Sequence, residues 1–313
     1  MTDDARNIIN SPYGLNMAYI ITRWMPESLG RRIATFTADF ISARKSWKMV
    51  LAARCNQWVA RGGQLDEQAL DEAVKENFRS IADSIFDLYH NLNDSSAFLR
   101  LIEPDPVALR LIQRPEFSER GLVVAGVHLS NFDMVFQMGG LAGLQALALT
   151  LPELNAGYRK QLEIRARNGL HVLQASIGNV KQAIEHLKLG GMVITGIDRP
   201  DESYIYRPIF FGHPAALPIH HVFLALKARV PILVAATLKC SDGKYHFMFS
   251  EPIEMQTHPD RHKEILLNAE RVLQEAEKFI LRDPRQWSMT FPVWPEMIKE
   301  MKISSRCPEG HYG

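Results

Sequence analysis

A histidine and an aspartate stand five positions apart, His128 and Asp133, directly after an apolar run at residues 122–127. An imidazole can take a proton from a hydroxyl near neutral pH if a carboxylate on its other ring nitrogen fixes the tautomer and favours the imidazolium. A base placed in this way is worth ~10²–10⁴-fold in rate. The same residues have a blander reading. Ser130-Asn131-Phe132-Asp133 also fits a helix capping box, with Ser130 as N-cap and Asp133 at the third helical position. One carboxylate can serve both roles, so both stay open.

The elements around this pair decide where it sits. Residues 122–127, 145–149, 192–197 and 231–236 are short apolar runs of the buried-strand type, and 245–250 reads as an edge strand. Helical patterns fall between them at 132–141, 158–168, 179–189 and 219–228, and a last helix covers about 261–281. Strands alternating with helices predict an α/β fold: a mixed, largely parallel central sheet flanked by helices, with an N-terminal helical segment packed on it. In such sheets ligands bind beyond the carboxyl ends of the strands, which is where His128 falls. The expected organisation is a helical region over 1–103, an α/β core over 104–302 and a loose tail over 303–313.

In the helical region apolar residues recur at three- and four-residue steps over 31–61 and again over 66–89. Its charge is lopsided, basic from Arg23 to Arg61 and acidic from Asp66 to Asp94. A basic stretch carrying Trp24, Trp47 and Trp58 suits an anionic membrane surface; it equally suits a solvated face on a packed helix.

Composition narrows the classes further. The chain has 313 residues, 46% of them hydrophobic, and a net charge of +1, so no global field points to nucleic acid. The acidic start lacks a secretory pattern, and no run approaches the roughly 18 apolar residues of a membrane span. Three scattered cysteines, Cys55, Cys240 and Cys307, read as reduced thiols of a cytosolic protein. No G-x-S-x-G elbow is present, which argues against a serine hydrolase. His213, His220 and His221 do not follow a zinc spacing, so no metal is expected.

Beyond these readings, His128 and Asp133 match the HX4D motif of glycerolipid acyltransferases. The run Gly126-Val127-His128-Leu129-Ser130-Asn131-Phe132-Asp133 resembles the first block of the bacterial late lipid A acyltransferases and the related phosphatidylinositol-mannoside acyltransferases. Four further segments resemble family motifs in order: Arg165 with Gly169; Leu187-Lys188-Leu189-Gly190-Gly191 followed by Asp198-Arg199; Phe210-Phe211-Gly212-His213-Pro214-Ala215; and Asp283-Pro284-Arg285-Gln286-Trp287. There are departures. Asp133 stands where the family usually has Glu, Phe132 where it has Trp, and Ser130 where it has Gly.

The resemblance implies an O-acyltransferase carrying a fatty acyl group from acyl-CoA or acyl carrier protein to a hydroxyl of a lipid or glycolipid. It implies no cofactor and no acyl-enzyme, with His128 as base and Asp133 as its partner. Asn131, Arg165, Asp198, Arg199, Phe211 and Gly212 become substrate-binding candidates, the two arginines for phosphate, which guanidinium binds in bidentate fashion. Attachment to the cytoplasmic membrane is expected to be peripheral. A lipid-binding member without catalysis and a thioesterase-like hydrolase are the alternatives.

Overall fold

The computed structural model describes residues 25–91, 94–112, 119–141, 146–150 and 171–304. Three long helices come first: α1 (Glu27–Ser42), α2 (Lys48–Ala60) and α3 (Glu67–Asn91). Short elements follow, α4 (Ser95–Leu101), β1 (Ile102–Pro104) and α5 (Pro106–Ile112). The alternating part then runs β2 (Leu122–Gly126), α6 (Phe132–Leu141), β3 (Ala146–Thr150), β4 (His171–Gln174), α7 (Ile177–Lys188) and β5 (Met192–Gly196). After a small hairpin, β6 (Ile209–Phe210) and β7 (His213–Pro214), come α8 (His220–Ala228), β8 (Ile232–Lys239), β9 (Tyr245–Phe249), α9 (Arg261–Arg282) and α10 (Pro295–Ser304).

Seven strands form one sheet in the order β1-β9-β8-β2-β5-β3-β4, and only the β8–β9 pair is antiparallel. The expected α/β architecture is therefore the observed one. β2 and β8 lie at its centre and are buried along almost their whole length, which is why they read as continuous apolar runs rather than alternating ones. The main core lies on the face covered by α2, α7, α8 and α9, around Val123, Val193, Val234, Val272 and Trp287.

Two strand expectations need correction. Residues 245–250 were expected at an edge, but β9 lies between β8 and β1, because Ile102–Pro104 adds a parallel strand outside it. β4 had no counterpart in the sequence reading: its four residues carry only two apolar side chains and occupy the sheet's other edge. The helix expected over 158–168 lies outside the described residues, as do most of the proposed tail and Trp24.

In the N-terminal part, the periodicity over 31–61 divides into α1 and α2 around a turn at residues 43–47. The turn lets Trp47 meet Phe40 edge-on and pack against the cluster of Ala38, Val50, Leu70 and Phe78. Trp47 and Trp58 thus face inward rather than toward a membrane. The charge asymmetry is largely consumed between helices. Arg79 holds Asp39 through two bonds of 2.6 Å, Lys45 bonds Asp71 at 2.5 Å, and Arg54 also pairs with Asp71.

Buried amides tie these helices to the end of the core. Asn56 Nδ2 donates to the carbonyls of Met289 and Phe291, and Gln57 Nε2 to that of Pro284. Asn77 Nδ2 donates to the carbonyls of Arg285 and Trp287, both at 2.8 Å. Each bond satisfies groups that would otherwise be stranded away from water.

Candidate active site

β2 and β5 are neighbouring parallel strands paired Gly126 to Gly196, with Ile197 N–H continuing the ladder to Gly126 O at 3.1 Å. Two residues further along each strand stand His128 and Asp198. The register alone brings them side by side at the mouth of the sheet. His128 Nδ1 lies 2.6 Å from Asp198 Oδ1, and the His128 backbone N–H donates to the same carboxylate at 3.0 and 3.2 Å. Gly196 gives the ring its room, since a Cβ there would come within 3.0 Å of His128 Cε1.

Asp198 is fully buried, so its charge must be satisfied by protein donors. Besides His128, the indole Nε1–H of Trp287 donates to Oδ2 at 2.8 Å. A carboxylate on Nδ1 selects the tautomer with the proton there and leaves Nε2 as the basic atom. The imidazole is about a quarter exposed, with a side-chain accessibility of 23%, and Nε2 has no protein partner among the described residues. The ring packs edge-on against Phe132 at 4.6 Å.

The loop after His128 is shaped differently from a capping box. Ser130 adopts a left-handed backbone, φ 50°, where the resembling block has glycine. The serine therefore keeps the glycine-like turn, at a cost of order 1 kcal/mol. Its hydroxyl is buried without a partner among the described residues. Asn131 caps α6 instead: its Oδ1 accepts from Met134 N–H at 3.3 Å, and its Nδ2 donates to Ser84 O at 2.9 Å on α3. Asp133 lies one position into α6, half-buried, in the same turn as Phe132.

The remaining sequence candidates are placed as follows. Asp198, expected to meet substrate, lies sealed beneath the imidazole. Asn131, likewise a binding candidate, is buried and engaged in holding α6. Arg199 is half-buried with its guanidinium 4.3 Å above the Phe291 ring. Phe211 and Gly212 form the β6–β7 turn. The Phe211 N–H bonds Glu277 Oε1 at 2.5 Å, and its ring leans on Trp287 at 6.1 Å, while Gly212 is exposed. Arg165 lies outside the described residues.

The other histidines are apart from His128. His213 is exposed in the hairpin. His220 Nε2 is 2.5 Å from Thr195 Oγ1, and burial lowers its pKa to about 4. His221 is fully buried, neither ring nitrogen has a partner among the described residues, and burial depresses its pKa strongly. Both are neutral at physiological pH.

With the dyad at the sheet mouth described, the relatives can be named. A family model, that of the bacterial lipid A biosynthesis acyltransferases, matches residues 13–295. The chain belongs to this family. It is an acyltransferase, and the match spans β2, β5, the hairpin and the closing Trp287 segment in a single alignment. A comparison with curated proteins returns no match. No helix among the described residues of the acyltransferase is long and apolar enough to cross a membrane.

Two contacts of the site do not stand out in the sequence: Asp198, a substrate-binding candidate there, lies against His128 instead, and Trp287, part of the closing motif, bonds Asp198. A usable signal existed: both acids and bases that follow buried strands by two residues converge when those strands are neighbours.

Proposed function

We propose that this acyltransferase moves a fatty acyl group from the thioester of acyl-CoA or acyl carrier protein to a hydroxyl of a lipid or glycolipid acceptor. The observation carrying the reading is a partly exposed imidazole whose Nδ1 is held by a buried carboxylate and whose Nε2 has no partner among the described residues. Nε2 takes the proton as the acceptor oxygen attacks the thioester carbonyl carbon. The tetrahedral intermediate then collapses, the C–S bond breaks, and the thiolate takes that proton back from Nε2–H. A thioester is already activated, so no acyl-enzyme is required. Asp198 orients the ring, and Asp133, in the first turn of α6, is the acid that the HX4D spacing proposes beside it. Arg199, with Arg165, is the cation set we assign to phosphate of donor or acceptor, since guanidinium suits phosphate oxygens.

The acceptor and the acyl chains are lipidic, so we further assign contact with the cytoplasmic membrane surface to α1. Leu29, Ile33, Phe36 and Phe40 share one face of that helix and are 44–72% exposed, whereas the buried Gly30 and Ala38 pack toward α3. Arg32 and Arg44 flank the apolar stripe, an arrangement suited to an anionic interface. Replacing Phe36 and Phe40 by Asp together should lower co-sedimentation with anionic phospholipid vesicles several-fold. Unchanged binding would remove α1 from the contact.

The activity is tested by incubating the protein with a long-chain acyl-CoA and following thiol release, with and without a hydroxyl-bearing glycolipid. Release that depends on the acceptor, with acylated lipid seen by mass spectrometry, is the expected result. Release of the same size into water alone would make the protein a hydrolase.

A further inference from the structure

The closing motif, Asp283 to Trp287, has no part in the mechanism so far, yet it forms the wall behind the dyad. Gln286 clamps the motif to the end of β8: Lys239 N–H donates to its Oε1 at 2.8 Å, and its Nε2 donates to Lys239 O at 2.9 Å. From there the chain runs antiparallel to the catalytic loop. Leu129 bridges Trp287, Ser130 N–H donates to Gln286 O, and Ser288 N–H donates to His128 O, the last two at 2.8 Å. One short segment therefore grips the backbone of the base and, through the indole, the carboxylate of its partner.

We infer that Trp287 is a positioning residue of the acyltransferase, acting on His128 through Asp198. This rests on the reading of His128 as general base. The indole is a donor that neither accepts nor ionises. It fixes Oδ2 in a dry site without bringing a competing cation, and Oδ1 remains turned toward Nδ1. An arginine there would hold the carboxylate more strongly but weaken its pull on the imidazolium. Without the N–H, the one donor left to Oδ2 among the described residues is the His128 backbone N–H. The imidazole–carboxylate pair would then hold its proton more tightly, whichever member carries it, and the base would be freed only at higher pH.

The structure supplies its own control. Trp294 is buried in the same aromatic cluster, 6.3 Å from Trp287 and stacked on Phe210, but its Nε1 has no hydrogen-bond partner among the described residues. Trp287→Phe and Trp294→Phe remove the same ring volume from the same core, and only the first removes a donor from Asp198.

The experiment measures kcat, KM for acyl-CoA, the pH profile and Tm for the wild type, both variants and His128→Ala. Trp287→Phe should lower kcat about threefold at neutral pH and about tenfold on the acid side, with KM little changed, and move the acid limb of kcat upward by roughly one pH unit, since a hydrogen bond to a charged group is worth about that much. Trp294→Phe should lose comparable Tm with the limb unmoved. Should Trp287→Phe fail to fold, benzothienylalanine at position 287, which puts sulfur in place of N–H in a ring of the same shape, makes the same test. Coincident pH profiles for the two tryptophan variants would overturn the inference and leave the base assignment standing. Full activity in folded His128→Ala would instead overturn the base assignment.

Discussion

Asp198 and Asp87 are both buried carboxylates, 0% and 2% exposed, and their surroundings put them to different uses. Asp87, on α3, is held by permanent cations. Arg31 Nη2 on α1 bonds its Oδ1 at 2.6 Å, Lys239 Nζ at the end of β8 bonds its Oδ2 at 2.7 Å, and Tyr245 Oη on β9 adds a bond of 2.5 Å. Burial by itself would lower the Lys239 ammonium, but its bonds with Asp83 and Asp87 outweigh this and raise it. Tyr245 is pushed up by burial and by the same carboxylate. Neither the Lys239 ammonium nor the Tyr245 phenol changes charge near neutral pH, and the cluster serves as a joint between the first helices and the sheet. Among the described residues Asp198 has no lysine or arginine on it, only N–H donors and an imidazole. Its charge therefore acts on the one partner that can exchange a proton in the physiological range.

The comparison is broken most directly at the base. His128→Ala should cost ~10²–10⁴-fold in turnover in a protein that still folds. Asp198→Asn should approach that loss, since an amide no longer holds the Nδ1 proton or stabilises the imidazolium. Asp133→Asn should cost less. If Asp133→Asn proved the more damaging of the two in steady-state kinetics, the HX4D spacing rather than the strand register would name the orienting acid.

At the other carboxylate the losses should exchange places. Asp87→Ala leaves Arg31 and Lys239 without their shared counter-charge and should destabilise the protein by about 3 kcal/mol, because breaking a buried ion pair strands its partners. Turnover per folded molecule should persist. Urea unfolding beside an activity assay checks both, and a catalytic loss with unaltered stability would refute the joint.

A smaller effect tests a third buried group. His220 and His221 have folded pKa values below the ordinary 6.5, so the unfolded chain binds more protons as the pH falls. Above pH 6.5 both rings are neutral folded or unfolded and add no pH dependence, and stability should decline from there toward pH 4. His221→Leu removes the least satisfied ring and should raise Tm more at pH 5 than at pH 8. An equal gain at both values would indicate packing rather than protonation.

How much was legible follows from how local each feature is. The runs that became β2, β5 and β8 are central strands, buried on both faces, so their apolar character survives any neighbour. α9 was legible because one face of it packs on the core over six turns. β1 and β4 were not, because short edge strands bury too little to leave a pattern. The division between α1 and α2 was also hidden: no glycine or proline marks it, and the packing of Trp47 sets it. Ser130 reads as an N-cap by residue type, yet its left-handed backbone passes the cap to Asn131.

The sequence by itself determined the α/β alternation, a histidine at the exit of a buried strand, and the ordered motifs that mark an acyltransferase. These depend on residue type and on spacings within one or two elements. The tertiary structure decided which carboxylate serves that histidine. Asp198 is 70 positions away, and it reaches Nδ1 because β5 inserts between β3 and β2 and pairs with β2 in a register that aligns Gly126 with Gly196. Strand order is set by how all the layers pack together, and no local pattern records it.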